Sequence, residues 1–101
     1  MRCFYVLVHG KLDWTAGLAV ALDEERAKLA GFYCHRFVLA SDEREAAERA
    51  FRRVRDNLDR QTGWLVEGAA TLSLEAEEIV AAPIHKLLRP DNRAHTFYEQ
   101  E

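Results

Sequence analysis

Two strand-forming stretches that are apolar on both faces, with a single long amphipathic helix to cover them, constrain this chain most. The second of them sets the plan. Gly31 to Gln61 begins Gly-Phe-Tyr-Cys-His-Arg-Phe-Val-Leu-Ala-Ser and continues Asp-Glu-Arg-Glu-Ala-Ala-Glu-Arg-Ala-Phe. Phe32 to Ala40 is dense in aromatic and β-branched residues, which is strand composition. Its side chains alternate, with Phe32, Cys34, Arg36 and Val38 on one face and Tyr33, His35, Phe37 and Leu39 on the other. Ser41 or Asp42 then offers an N-cap oxygen, and Asp42 with Glu45 has capping-box-like spacing. In the helix that follows, Ala47, Ala50, Phe51, Val54 and Leu58 make one apolar stripe. The rest of its surface mixes Arg44, Arg49, Arg52, Arg53, Arg55 and Arg60 with acids. Glu45 and Arg49, Glu48 and Arg52, and Asp56 and Arg60 stand at the favourable spacing of four. The signs cancel, so this face reads as solvated and not as a nucleic-acid stripe.

Arg2 to Leu12 is the other strong strand. Phe4, Val6 and Val8 share one face, and Cys3, Tyr5, Leu7 and His9 the other. Two mostly apolar faces suit a central strand, and Gly10 marks a weak point or bulge. Leu22 to Ala30 is expected to form a helix, with Gly31 at its end and residues 13 to 21 as a loop or first turn. Trp14 in that loop is a core filler or, alternatively, a lid over apolar surface. Gly63 closes the long helix. Ala70 to Glu77 alternates cleanly, with Leu72, Leu74 and Ala76 inward and Thr71, Ser73, Glu75 and Glu77 outward. Glu78 to Ala82 is compatible with a helix stopped by Pro83, and Ile84 to Leu88 with a short helical turn. Arg89 to Arg93 has turn composition, and His95 to Tyr98 has strand chemistry.

These elements give an α+β two-layer sandwich, a mostly antiparallel sheet with one long helix packed on it. The Gly-Phe-Tyr-x-x-Arg-Phe-Val-x-Ala segment, the Ala-rich helix and the terminal Thr-Phe-Tyr resemble small uncharacterised bacterial proteins of the ferredoxin-like class. The shared motifs are packing motifs, so the resemblance implies a fold and no catalytic residue.

The 101 residues make one domain, and 49% hydrophobic content excludes a disordered chain. A net charge of −3 gives no bulk attraction to nucleic acid or to an anionic membrane. No apolar run is long enough to span a bilayer. Met-Arg leads straight into strand residues without a signal-peptide layout, and Cys3 and Cys34 fit buried reduced thiols. The expectation is therefore cytosolic.

His9, His35, His85 and His95 show no metal-ligand spacing, so no metal is expected. Glu75 and Glu77 share a strand face and read as a charged edge before they read as carboxylates that act on a sugar or hold a cation. Lys86, Arg89 and Arg93, with Asn92 and Tyr98, are the best candidate for a small-anion site, against the simpler reading of a solvated turn. There is no phosphate loop, nucleophile elbow or Cys-x-x-Cys, and no cofactor is expected. A sheet with two apolar faces and one long helix points to a homodimer acting as a binding module. The alternative is an enzyme or small-molecule binder of the dimeric α+β barrel kind. There Tyr5, His9, Tyr33 and His35 would line a cavity under Trp14.

Overall fold

The computed structural model describes residues 1–14, 29–68, 70–88 and 96–99. Strand β1 runs Arg2–Trp14, β2 Leu29–Ala40, helix α1 Glu43–Thr62, β3 Ala70–Ala81, a 3₁₀ turn Ile84–Leu88 and β4 Thr96–Glu99. The strands form one sheet in the order β3-β1-β2-β4, with every pairing antiparallel. This is the expected α+β architecture. It stops short of the ferredoxin-like class: the strand order is β3-β1-β2-β4, and α1 is the one α-helix among the described residues.

Both long strands extend beyond their expected ends. Asp13 and Trp14 continue β1, and Leu29 and Ala30 open β2 instead of closing a helix. The rest of the helix expected over 22 to 30 lies outside the described residues. Cross-strand partners decide these ends. Trp14 pairs with Ala70, and its Nε1 donates to the Leu29 carbonyl at 2.8 Å. Glu78 to Ala81, expected to turn helical, instead continues β3 along β1. A bulge in β3 allows this. Val8 faces Ala76 but Leu7 faces Glu78, so Glu77 is the extra residue. Leu72, Leu74 and Ala76 point to the core before the bulge, and Ile79 after it.

Helix α1 begins as its sequence directs. The Asp42 side chain accepts from the Glu45 amide at 2.8 Å, and the Ser41 hydroxyl donates to the Glu45 carboxylate at 2.9 Å. It ends at Gly63, whose φ of 73° is left-handed and whose amide donates to the Asp59 carbonyl at 2.7 Å. The buried stripe is Ala46, Ala50, Val54 and Leu58, so Ala46 takes the place expected of Ala47, and Phe51 is half-buried at the margin. The stripe lies on the face of Phe4, Val6, Val8, Phe32, Cys34 and Val38. Small alanines at the first two turns let the helix sit close to the sheet.

Three arginines of α1 do more than face water. Beyond Tyr33, β2 has no strand partner on its outer side among the described residues. There the Phe37 and Leu39 carbonyls accept from Arg53 and Arg49 at 2.7 and 2.6 Å. Arg36, 1% exposed, donates to the His35 carbonyl at 2.7 Å. On the opposite flank Arg55 donates to the Leu72 carbonyl of β3 at 3.2 Å. The expected Glu45–Arg49 ion pair forms at 2.8 Å.

Cys3 and Cys34 are free and buried, on opposite faces of the sheet. Burial pushes the Cys34 thiol up to about 11, with Arg36 pulling weakly the other way. The fold thus favours the protonated thiol. Its contribution to stability is full below the ordinary value of 9.0 and is lost as pH rises toward 11. From about pH 8 to about pH 10 the urea midpoint of the wild type is expected to fall more than that of Cys34→Ala. Equal falls would show that this thiol does not couple to folding.

Candidate functional site

The sheet face opposite α1 carries its aromatic residues in two adjoining groups. Tyr5 of β1 lies directly across from Phe37 of β2, with ring centroids 5.6 Å apart. His35 completes a triangle, 5.5 Å from Tyr5 and 5.7 Å from Phe37. Leu7, opposite His35, and Val80, opposite Tyr5, extend this apolar patch.

The second group centres on His9. Its register places Tyr33 of β2 on one side and Glu75 of β3 on the other. The imidazole stacks on Tyr33 at 4.6 Å with 10° between the planes. Its Nδ1 lies 3.1 Å from a Glu75 carboxylate oxygen and 3.3 Å from one of Glu77. Its Nε2 meets the Tyr98 hydroxyl. The His9 side chain is 10% exposed, against 58% and 44% for Glu75 and Glu77.

Tyr98 reaches His9 because Gly31 lies between them without a side chain. Tyr98 pairs with Gly31 across β2 and β4, and a methyl group on Gly31 would meet the phenol oxygen at 2.5 Å. The Tyr98 phenol is held above its ordinary value, first by burial and then by Tyr33 and Glu75. Its hydroxyl is hydrogen-bonded to Nε2 of His9, while Nδ1 faces the two carboxylates. The result is a connected chain of phenol, imidazole and carboxylate that fixes the ring's orientation.

Tyr5, His9, Tyr33 and His35 thus share the face opposite α1, as their strand positions require. Trp14 does not join them. It occupies the helix side, where it packs edge-on against Trp64 at 4.9 Å and belongs to the core margin. Its even position in β1 sets this face, so the lid role falls away and the core-filling role stands. Arg89 and Arg93 lie outside the described residues, as do Asn92 and His95. The sequence does not join His9 to Glu75, Glu77 and Tyr98, because they stand on three strands far apart in the chain. A signal was present in Glu77-Glu78, where the alternation of β3 slips by one residue.

Two recesses border these features. One of 130 Å³, lined by Lys11, Ser73, Leu74 and Glu75, lies beside the His9 group. The other, of 390 Å³, lies on the helix side along the β2 edge and is lined by Val38, Leu39, Arg49, Arg52 and Arg53. No helix among the described residues is long and apolar enough to cross a membrane. No protein-family model, curated protein or solved structure matches the chain.

Proposed function

We propose that this domain is a homodimeric binding module whose copies meet through the sheet face opposite α1. One observation carries the reading: Tyr5, Leu7, His35, Phe37 and Val80 form a continuous aromatic and aliphatic patch on the sheet face opposite α1, half-buried except at Val80. Val80 is 43% exposed. Large apolar patches of this kind are uncommon on monomers. Twelve residues of strand at about 3.3 Å each, on three strands about 4.8 Å apart, give a face of roughly 40 by 15 Å. That is about 600 Å², below the roughly 800 Å² per partner of an ordinary stable interface, so the rim beyond the apolar patch would have to contribute. A two-fold axis buries the same patch twice. The kinship with ferredoxin-like and dimeric α+β barrel domains belongs to this proposal, as does a cytosolic setting, supported by the two free thiols.

Sedimentation equilibrium at micromolar protein is expected to give twice the chain mass. Phe37→Glu, which places a charge in the patch and leaves the α1 side alone, is expected to return the monomer. A wild type of monomer mass would overturn the proposal.

A second reading rests on the polar group at one end of that face. His9, Tyr98 and Glu75 set donors and acceptors beside an apolar surface, the usual composition of a small-molecule or substrate site. Native mass spectrometry of the purified protein tests it: a stoichiometric small molecule lost on Tyr98→Phe favours a binder or enzyme over a plain interaction module.

A further inference from the structure

We propose that His9, Glu75 and Glu77 form a binding site for a divalent first-row transition-metal cation, with Zn²⁺ as its simplest occupant. The inference reverses the expectation from histidine spacing, and it does not rest on self-association, because one chain supplies all three ligands. The Nδ1 of His9 and one oxygen from each carboxylate lie within 4.8 Å of one another.

The two separations from Nδ1 fit a metal. A cation with bonds of about 2.1 Å to nitrogen and oxygen holds neighbouring ligands about 3.0 Å apart in octahedral geometry and about 3.4 Å apart in tetrahedral geometry. The two observed separations from Nδ1 are 3.1 and 3.3 Å. A ring proton accounts for them less well. One N–H satisfies one acceptor in good geometry, yet two carboxylates converge on it, and their like charges repel. A dication in place of that proton neutralises both. The side chains of Glu75 and Glu77 are open enough to turn to water, so burial does not force this convergence.

The surroundings are those of a ligand histidine. The far nitrogen, Nε2, is held by the Tyr98 hydroxyl, and the ring plane is held by Tyr33. Metal-bound histidines are oriented in this way by partners outside the ligand set. With a cation on Nδ1, the ring proton sits on Nε2 and the Tyr98 oxygen accepts from it. A mixed nitrogen and carboxylate set suits Zn²⁺, Mn²⁺ or Fe²⁺ better than Mg²⁺ or Ca²⁺, which favour oxygen alone. Three protein ligands leave coordination positions open on the solvent side.

Calorimetric titration of the full chain with Zn²⁺ is the test, alongside visible absorption on adding Co²⁺. The wild type is expected to bind one equivalent at the site and to give ligand-field bands with Co²⁺. The double variant Glu75→Gln, Glu77→Gln changes only exposed side chains. It is expected to keep its circular dichroism, to lose those bands and to bind at least about a hundredfold more weakly. Glu78→Gln, a neighbouring glutamate outside the ligand set, is expected to bind as the wild type does. Saturation of the double variant with wild-type affinity would overturn the assignment, and so would a wild type with no saturable one-to-one binding.

Discussion

Phe32→Ala is expected to lower the stability of the domain by about 3–5 kcal/mol, enough to unfold a marginal single domain of this size. Phe32 is completely buried and sits at the junction of three strands. It pairs with Gly10 of β1 on one side and Phe97 of β4 on the other, with the two phenyl rings at 5.7 Å. Its ring lies over Gly10 so closely that a β-carbon there would meet ring atoms, one of them at 2.6 Å. Gly10 therefore marks no weakness in β1; its missing side chain is the floor on which Phe32 rests. This makes a double-mutant cycle informative. Gly10→Ala alone overpacks the core, at a cost of about 1–3 kcal/mol. In the Phe32→Ala background the same methyl enters vacated space and is expected to cost far less. Urea melts of the four proteins read the coupling, and additivity within about 0.5 kcal/mol would refute the contact.

Gly31→Ala is expected to cost about 3 kcal/mol, the upper end for overpacking, and to dismantle the His9 group as well. The backbone of Gly31 is not left-handed; positive φ occurs only at Gly63 and Gly68 among the described glycines. What Gly31 supplies is room. A methyl group there would collide with the Gly10 carbonyl oxygen, which belongs to the paired strand, and with the Tyr98 phenol. A side chain can swing aside cheaply, but a strand carbonyl moves only with the ladder. The variant should melt well below the wild type. In nitrogen NMR the His9 ring should also lose the signature of an Nε2 bonded to a phenol. Gly31→Ala with the wild-type midpoint and an unchanged His9 signal would show that Tyr98 does not occupy this space.

The parts of the architecture carried by local chemistry were legible. Alternation gave both long strands and their faces, and the spacing of Ala50, Val54 and Leu58 gave the helix and its buried side. Asp42 and Gly63 marked its two ends. What failed to read locally depended on partners distant in sequence. Leu29 and Ala30 have helix-forming neighbours, but pairing with β4 and the bond from Trp14 hold Leu29 in a strand. Glu78 to Ala81 resembles a helix start until the β1 ladder claims it through the bulge at Glu77. The His9 group draws from all four strands, with His9 and Tyr98 89 residues apart, so no motif window contains it. Tyr98 could be joined to His9 only by knowing the strand order.

The guanidinium groups along the two flanks of the sheet have a consequence for how copies can assemble. A strand arriving sideways must find free carbonyls, and at Phe37, Leu39 and Leu72 it meets occupied ones. Displacing an arginine there forfeits a charge-assisted bond before a neutral one forms, which penalises each added rung. Sideways addition is the route that never closes, since each new copy presents a fresh edge to the next, and its product is a fibre. The proposed stacking across the face opposite α1 would end after two. By guarding its flanks with side chains from the helix, the domain withholds the route to an endless assembly.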